Sequence, residues 1–330
     1  MTTEHQALLD QIIEAIDNDT LVLPTLPDVA FKIQDLIDDP NVSADQIVQV
    51  LSGDPLISAQ LIKSANSAAF ADKAPVENVR GAITRLGYRQ LRNLVMTITM
   101  NKMFYAKNPI INKYMKAVWK HSREVAAVSY VIALRQPHLS PDQAMLAGLV
   151  HDIGVLPLCL HIEKNQAHIE EDKLEELIRK CSNTIGRKLL QKWNFPQDLI
   201  DVVGEHENLH RDSSDMPRAD YTDVISIANL QEDRARAKVI AWDTIAAVKR
   251  LELSEEECRT FVELYAERIA LIAEMLGVTP SKKLRVAGLV SPPSYLKKQE
   301  PAPIHVYARR SNSMKGILSS LLSLLSFRKR

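Results

Sequence analysis

Three histidines and one aspartate are the residues of this 330-residue chain best suited to chemistry. His151 and Asp152 are adjacent, and His121 and His206 each lie among apolar residues spaced as on a helix. Neutral imidazole and ionised carboxylate are ligands of divalent metal ions. Because a buried imidazole without a partner is costly, the histidines either share a metal site or form a hydrogen-bonded polar cluster in a helical core. The sequence leaves both alternatives open.

The apolar pattern around each histidine predicts that three separate helices position them. His121 interrupts the apolar stripe of a helix predicted from about residue 111 to 135. His151 follows two small residues that let another helix approach closely, and His206 continues the apolar face of a third helix. We therefore expect the three side chains to point into one interior. The flanking positions are, in order, Tyr114, Val118, Val125, Val128 and Ile132, then Ala147 and Gly148, then Leu199 and Val203.

Helix start and stop signals recur along the chain and predict an all-α fold. A helix is predicted from about Pro27 to Asp39, and Gly87 is predicted to end another. No stretch shows the alternation typical of a strand. The start signals are capping pairs or a polar residue followed by proline, at Thr3/Gln6, Ser43/Gln46, Asp54-Pro55, Ser140-Pro141 and Ser254/Glu257. Asn108-Pro109 predicts a break between two helices.

These signals divide the chain into two helical lobes and a tail. We predict an N-terminal lobe over residues 1–107, a second lobe with additional C-terminal helices over 108–290, and a linker and tail over 291–330. The linker is proline-rich and aperiodic. Residues 316–330 combine leucines and serines with a basic end, which predicts a short amphipathic helix. This helix either docks on protein or makes a weak contact with an anionic membrane surface.

Composition excludes several classes of function. Lys+Arg and Asp+Glu both number 41, so a net charge of 0 argues against nucleic-acid binding. The three cysteines are widely separated and form neither a disulfide framework nor a zinc cluster. The N-terminus is polar, unlike a secretory signal, and no run approaches the roughly 20 apolar residues of a membrane span. We expect a soluble cytoplasmic protein.

Two sets of segments carry a resemblance to known families. In the second lobe, VWKHSREVA, AGLVHDIGVLPL and ISIANL resemble the HD superfamily of metal-dependent phosphohydrolases, whose pattern is His, then His-Asp, then a late Asp. In the first lobe, DPLISAQLIKSANSAAF is similar to HDOD domains, the HD-related output domains of bacterial signalling proteins. The resemblance covers about residues 20–230. It implies an HD-like helical lobe and a divalent metal site formed by His121, His151, Asp152 and His206.

The sequence departs from the HD pattern around these residues. Asn229 stands in place of the late Asp, which removes one negative charge from the site. Val155 stands where the related HD-GYP phosphodiesterases have lysine, a cation suited to a phosphoryl transition state. Ser182 and Glu205 stand where those enzymes have histidines. Glu205 and Asn229 are candidate additional ligands, and Asp223 is a candidate replacement for the lost acid.

The resemblance and its departures together favour a non-catalytic regulatory protein of bacterial signal transduction that acts by binding a protein partner. In this interpretation a divalent ion could be retained without turnover, and no other cofactor is expected. The alternative is a metal-dependent phosphohydrolase of the HD superfamily that acts on a nucleotide or cyclic nucleotide through the same four residues.

Overall fold

The protein is helical wherever its structure is described. The computed structural model describes residues 3–18, 41–67, 74–165, 169–193, 195–211 and 218–278, and residues 20, 21, 29, 32, 33, 36, 37 and 39. Within these residues no strand is present, which confirms the all-α prediction. The side chain of Thr3, and with it the predicted capping pair, lies outside the described residues, as do most of the helix predicted over 27–39 and the linker and tail over 291–330.

The N-terminal part of the chain contains four described helices. The helix end predicted at Gly87 is confirmed, because Gly87 has φ 74° and ψ 162°, which are not helical. Helix resumes directly after it, so α4 consists of two helical segments joined by a kink. The helices are α1 (Thr3–Asp17), α2 (Ala44–Ser52), α3 (Pro55–Ala65) and α4 (Val79–Met103).

The remaining described chain forms ten further helices and one 3-10 turn at Trp242–Thr244. The helix predicted over 111–135 is confirmed as α5, two residues earlier at each end. The helices are α5 (Pro109–Ala133), α6 (Pro141–Val150), α7 (Val155–Asn165), α8 (Glu171–Lys192), α9 (Gln197–Glu205), α10 (Tyr221–Glu232), α11 (Arg234–Val239), α12 (Ala246–Arg250), α13 (Glu255–Leu264) and α14 (Ala266–Met275).

The predicted helix starts, and the start of α5 at the predicted break, are formed by side chains that bind free backbone N–H groups. Ser43 and Ser254 form reciprocal capping boxes with Gln46 and Glu257. At the starts with a following proline, the side chains of Asp54, Asn108 and Ser140 accept hydrogen bonds from backbone N–H groups of the first turn. Each such bond satisfies a donor that the helix itself cannot pair.

Two hydrophobic cores meet along α4. The first contains buried residues from Ile33 to Ile98, and the second runs from Met96 to Val278. The second core also contains Leu9, Ile12 and Ile16 of α1, and α1 packs on α8, where Lys188 Nζ lies 2.7 Å from Asp17 Oδ1. The first helix therefore packs with the second core, while the division of the chain into domains stays a prediction.

One segment of the second core has the length and composition of a membrane span. Residues Pro141–Asn165 pass this test, although 78% of the apolar window is buried inside the protein. The segment is also two helices, α6 and α7, separated by a turn at residues 151–154. Its burial and its interruption are those of core helices in a soluble protein.

The contact between α5 and α6 generates a stability prediction. A Cβ atom at Gly148 would lie 2.6 Å from Cα and 2.8 Å from N of Ala126, so the two backbones touch only because residue 148 is glycine. We expect Gly148→Ala to lower the free energy of unfolding by about 2–3 kcal/mol, since the helices must separate. Urea unfolding followed by circular dichroism measures this change.

The matched control is Gly53→Ala, at the end of α2. Gly53 has φ −71°, and its nearest atom to a new Cβ is Val50 O at 3.4 Å. A residue with this backbone accepts alanine without strain, so we expect a change of no more than about 0.5 kcal/mol. Equal losses from both substitutions would contradict the close contact.

Candidate functional site

The three histidines lie together inside the second core. His121 is in α5, while His151 and His206 directly follow the ends of α6 and α9. The ring centroids of His121 and His151 are 5.2 Å apart, and those of His151 and His206 are 4.9 Å apart. Residues more than 80 positions apart in the sequence therefore form one cluster, with Asp152 in the turn between α6 and α7.

The turn that carries His151 and Asp152 is pressed against α8. A Cβ atom at Gly154 would lie 2.6 Å from the backbone nitrogen of Gly186. Only a residue without a side chain permits this approach, which explains the glycine three positions after His151. The close contact fixes the turn and, with it, the direction of the two side chains.

Backbone carbonyls set the orientation of two of the rings. Nδ1 of His151 lies 2.8 Å from the carbonyl oxygen of Gly148, and Nδ1 of His206 lies 3.1 Å from that of Val202. Each Nδ1–H donates to its carbonyl, so each Nε2 presents a lone pair to the interior. Both Nε2 atoms are buried and have no hydrogen-bond partner among the described residues.

The carboxylate of Asp152 faces both of these Nε2 atoms. Its Oδ2 lies 3.3 Å from His151 Nε2, and its Oδ1 lies 3.6 Å from His206 Nε2. The side chain of Asp152 is 21% exposed, whereas those of His151 and His206 are 0% and 1% exposed. The carboxylate is thus the one group of these three that reaches towards solvent.

The charges in the cluster suit a cation. Burial, and after it the neighbouring His151, lowers the pKa of His121 to about 4 and also lowers the pKa of His206. Burial acts against ionisation of Asp152, but the facing His151 outweighs it and holds the pKa of the carboxyl below its usual range. Burial acts against protonation of His151, but the facing Asp152 outweighs it and raises the pKa of His151. At neutral pH the cluster therefore offers the neutral imidazoles of His121 and His206 and an ionised carboxylate, the forms that bind metal ions.

Asn229 of α10 completes the cluster without adding charge. Its Oδ1 lies 2.9 Å from Nε2 of His121, so the imidazole N–H donates to the amide oxygen. The residue that replaces the late acid of the HD pattern is therefore at the site. Because Asn229 is a neutral amide, the negative charge of the cluster comes from Asp152.

The donor set fits a divalent ion. Donor atoms of His121, His151 and Asp152 all lie within 4.8 Å of one another, and the buried Nε2 atoms of His151 and His206 lack partners. Imidazole with carboxylate suits zinc, iron or manganese. His151, His206 and Asp152 present free donor atoms at Nε2 and at the carboxylate, while Nε2 of His121 is used in the hydrogen bond to Asn229.

Two further candidates from the sequence have partners of their own. Glu205 lies 3.7 Å from Arg187 Nη1 and accepts a hydrogen bond of 3.1 Å from Asn208, and its role as an additional ligand stays a prediction. Asp223 is buried in an ion pair and accepts a hydrogen bond of 2.7 Å from Nε of Arg250. Its charge is already compensated, and it does not replace the acid lost at Asn229.

Sequence reasoning missed the groups that orient the rings. The carbonyls of Gly148 and Val202 are backbone atoms, which no motif of side chains reveals. The signal that could have found them is the position of each histidine at a helix C-terminus, where the last carbonyls have no partner within the helix. A side chain three or four positions later can reach such a carbonyl.

Comparison with known proteins places this geometry in a family. The family model of the HDOD domain matches residues 23–209. Among curated proteins, an uncharacterised protein of Treponema pallidum (strain Nichols) is 26% identical over 222 residues, which is 63% of this chain. The chain spans 41% of the length of that relative.

Solved structures show the same fold. A protein of Shewanella amazonensis SB2B, provisionally named a metal-dependent phosphohydrolase, is 25% identical with a TM-score of 0.63, covering 87% of this chain and 99% of its own. A protein of Marinobacter aquaeolei VT8, provisionally named a signal transduction protein, is 23% identical with a TM-score of 0.55, covering 83% of this chain and 66% of its own. The likeness to the second protein concerns the fold alone.

The neutral amide at position 229 generates a metal-binding prediction. Asn229→Asp adds a second carboxylate beside the imidazoles, and a divalent ion is held more tightly by a site with one more negative charge. We expect the affinity for Mn²⁺ to rise at least about tenfold. Equilibrium dialysis of the purified full-length protein against Mn²⁺ measures it.

The control is Asn208→Asp, which adds the same charge at an exposed position outside the cluster. We expect no change in Mn²⁺ affinity for this variant. If both variants gain affinity equally, or if Asn229→Asp gains none, the cluster is not the place where the ion binds.

Proposed function

Because this chain belongs to the HDOD domain family, we propose that it is a non-catalytic regulatory protein of bacterial signal transduction that acts by binding another protein. The observation that carries the proposal is the closed and charge-depleted histidine cluster. The Nε2 atoms of His151 and His206 are buried, and the fourth position of the cluster is a neutral amide that is hydrogen-bonded to His121. The HD fold is present, but Asn229 stands in place of the late acid and Val155 in place of the HD-GYP lysine.

Metal-dependent hydrolysis needs groups beyond the metal ligands. The ion must keep an open position for water or substrate, which in this cluster would lie on the side of Asp152, whose side chain reaches towards solvent. The transition state also gains from a cation near the transferred phosphoryl group. Val155, at the position of the HD-GYP lysine, is an apolar side chain that is 1% exposed.

The cluster has a structural role that does not need turnover. It joins α5, the turn after α6, the end of α9 and α10 through polar contacts inside an apolar core. Buried polar groups that are paired fix one arrangement of their helices, because other arrangements leave them unpaired. A partner protein that recognises the surface of this domain therefore meets a defined shape.

The second candidate is the hydrolase, and the donor set favours it. His121, His151 and Asp152 converge, and the Shewanella protein is provisionally named a phosphohydrolase. An ion bound there would supply a nucleophilic hydroxide and polarise a phosphate. The chain's own contribution would be the ionised Asp152, the part of the cluster that reaches towards solvent.

Hydrolysis assays separate the two candidates. We expect wild-type protein in Mn²⁺ or Mg²⁺ to cleave a panel of nucleotides, cyclic nucleotides and bis(p-nitrophenyl) phosphate no faster than Asp152→Asn. The substitution keeps the size of the side chain and removes the charge that a metal-bound hydroxide would need. Initial rates at saturating metal measure this.

The matched control for this assay is Asp201→Asn, the same change on α9, outside the cluster. If wild type and Asp201→Asn both turn over a substrate and Asp152→Asn does not, the protein is a hydrolase and the proposal is wrong. In that case the rate should also fall when the metal is chelated.

A further inference from the structure

A second candidate site lies at the seam between the two hydrophobic cores. It is a cavity of about 430 Å³ between α3 and α4 on one side and α5 and the end of α14 on the other. No residue of the histidine cluster lines it. Small-molecule sites have volumes of roughly 300–1,000 Å³ and occur preferentially at such interfaces. The cavity is therefore suited in size and place to a ligand.

Two cations line the cavity without a carboxylate partner. Lys63 projects from α3 and Arg123 from α5, and among the described residues neither forms an ion pair. Nη1 of Arg123 donates to the carbonyl oxygens of Leu276 and Gly277, at 3.4 and 3.1 Å. These bonds hold the guanidinium in place at the wall of the cavity. Cations that are positioned but not neutralised by an acid attract an anion.

A buried hydroxyl of the wall lacks a partner. The side chain of Ser67 is 8% exposed, and its Oγ has no hydrogen-bond partner among the described residues. Most buried polar atoms in proteins are paired, so an orphan that borders a cavity indicates a ligand atom or water as its partner. By contrast, the hydroxyl of Ser64 is already used, because it donates to the carbonyl oxygen of Met275 at 3.4 Å.

The remaining wall offers a mixed environment. Leu94, Ile98 and Val278 are buried apolar residues that line it, and Asn101 and Glu274 add an exposed amide and an exposed carboxylate. The wall thus carries two cations and one acid, and the acid forms no ion pair with either cation among the described residues. A ligand that fills the cavity therefore needs both an anionic end and an apolar part. The three donors are Lys63 on α3, Ser67 just after α3, and Arg123 on α5. The three terminal oxygens of a phosphate can accept from three directions, whereas a planar carboxylate offers two oxygens.

We propose that this cavity is a binding site for a small organic phosphate that carries one apolar ring. The phosphate binds Lys63, Arg123 and the hydroxyl of Ser67, and the ring lies against Leu94 and Ile98. The ligand touches both cores at once, so its binding stabilises their arrangement. A regulatory effect of this stabilisation rests on the proposed regulatory function, in which the ligand would be the signal. The binding site itself does not depend on that function.

Isothermal titration of the full-length protein with defined probes tests the proposal. The probes are phenyl phosphate and adenosine 5′-monophosphate, compared with benzoate, ribose 5-phosphate and inorganic phosphate. We expect at least one of the first two to bind at least about fivefold more tightly than each of the last three, because only the first two have both a phosphate and an aromatic ring. No binding by either of the first two at millimolar concentration would overturn the proposal, as would equal affinity for inorganic phosphate.

Two substitutions locate the binding. We expect Lys63→Gln to lower the affinity for the probe at least about tenfold and Ser67→Ala to lower it at least about threefold, since each substitution removes a donor to the phosphate. Lys63 is exposed and the Ser67 hydroxyl has no partner, so both variants should fold, with unchanged melting temperatures. Arg123 is left intact because it also holds the end of α14.

The control is Lys120→Gln, an exposed lysine of α5 that pairs with Glu124 at 3.1 Å, outside the cavity. It should bind the probe as wild type does. If all three variants bind equally well, the site lies elsewhere and the proposal is wrong. Recovery of the nucleotide after incubation distinguishes the two proposals: cleavage that depends on Asp152 would overturn the non-catalytic function and leave this binding site standing.

Discussion

The contact between the carboxylate of Asp152 and the two enclosed Nε2 atoms is the interaction on which the second lobe depends. A carboxylate in this environment is stable only if positive or partially positive groups compensate for lost water. His151 supplies this compensation. The two side chains stabilise each other's charged forms, since Asp152 outweighs the effect of burial and raises the pKa of His151. When His151 is protonated, its Nε2–H points at the carboxylate 3.3 Å away, in the place that a divalent ion would take. The cluster can hold together with or without metal.

This arrangement requires very close packing around it. The His-Asp turn can lie against α8 only because residue 154 is glycine, and α6 can lie against α5 only because residue 148 is glycine. If the turn moved outwards by an ångström, Asp152 would separate from the ring of His206, which it faces at 3.6 Å. The HDIG segment at residues 151–154 therefore has a packing role in addition to any role in binding an ion.

The loss of charge at Asn229 is compatible with this stability. An aspartate there would place two carboxylates in one buried cluster, and two like charges need a cation between them. The amide instead accepts a hydrogen bond from His121 and needs no ion. A site that keeps its shape without metal is suited to a domain recognised by other molecules. The cavity at the seam of the two cores adds a second place where such a domain can receive a signal, because its walls come from both cores.

Local sequence signals determined the helices, their starts and the apolar faces on which the histidines lie. Caps such as Ser43 and Ser254 act over three residues, and an apolar stripe repeats every three to four, so both can be read without the rest of the fold. The HD and HDOD motifs added the expected site residues. Only the tertiary structure decided that Glu205 turns to Arg187, that Asp223 is used in an ion pair with Arg250, and that α1 packs on α8. These outcomes depend on side-chain rotamers and on contacts between helices up to about 170 residues apart, for which the sequence has no short-range signal.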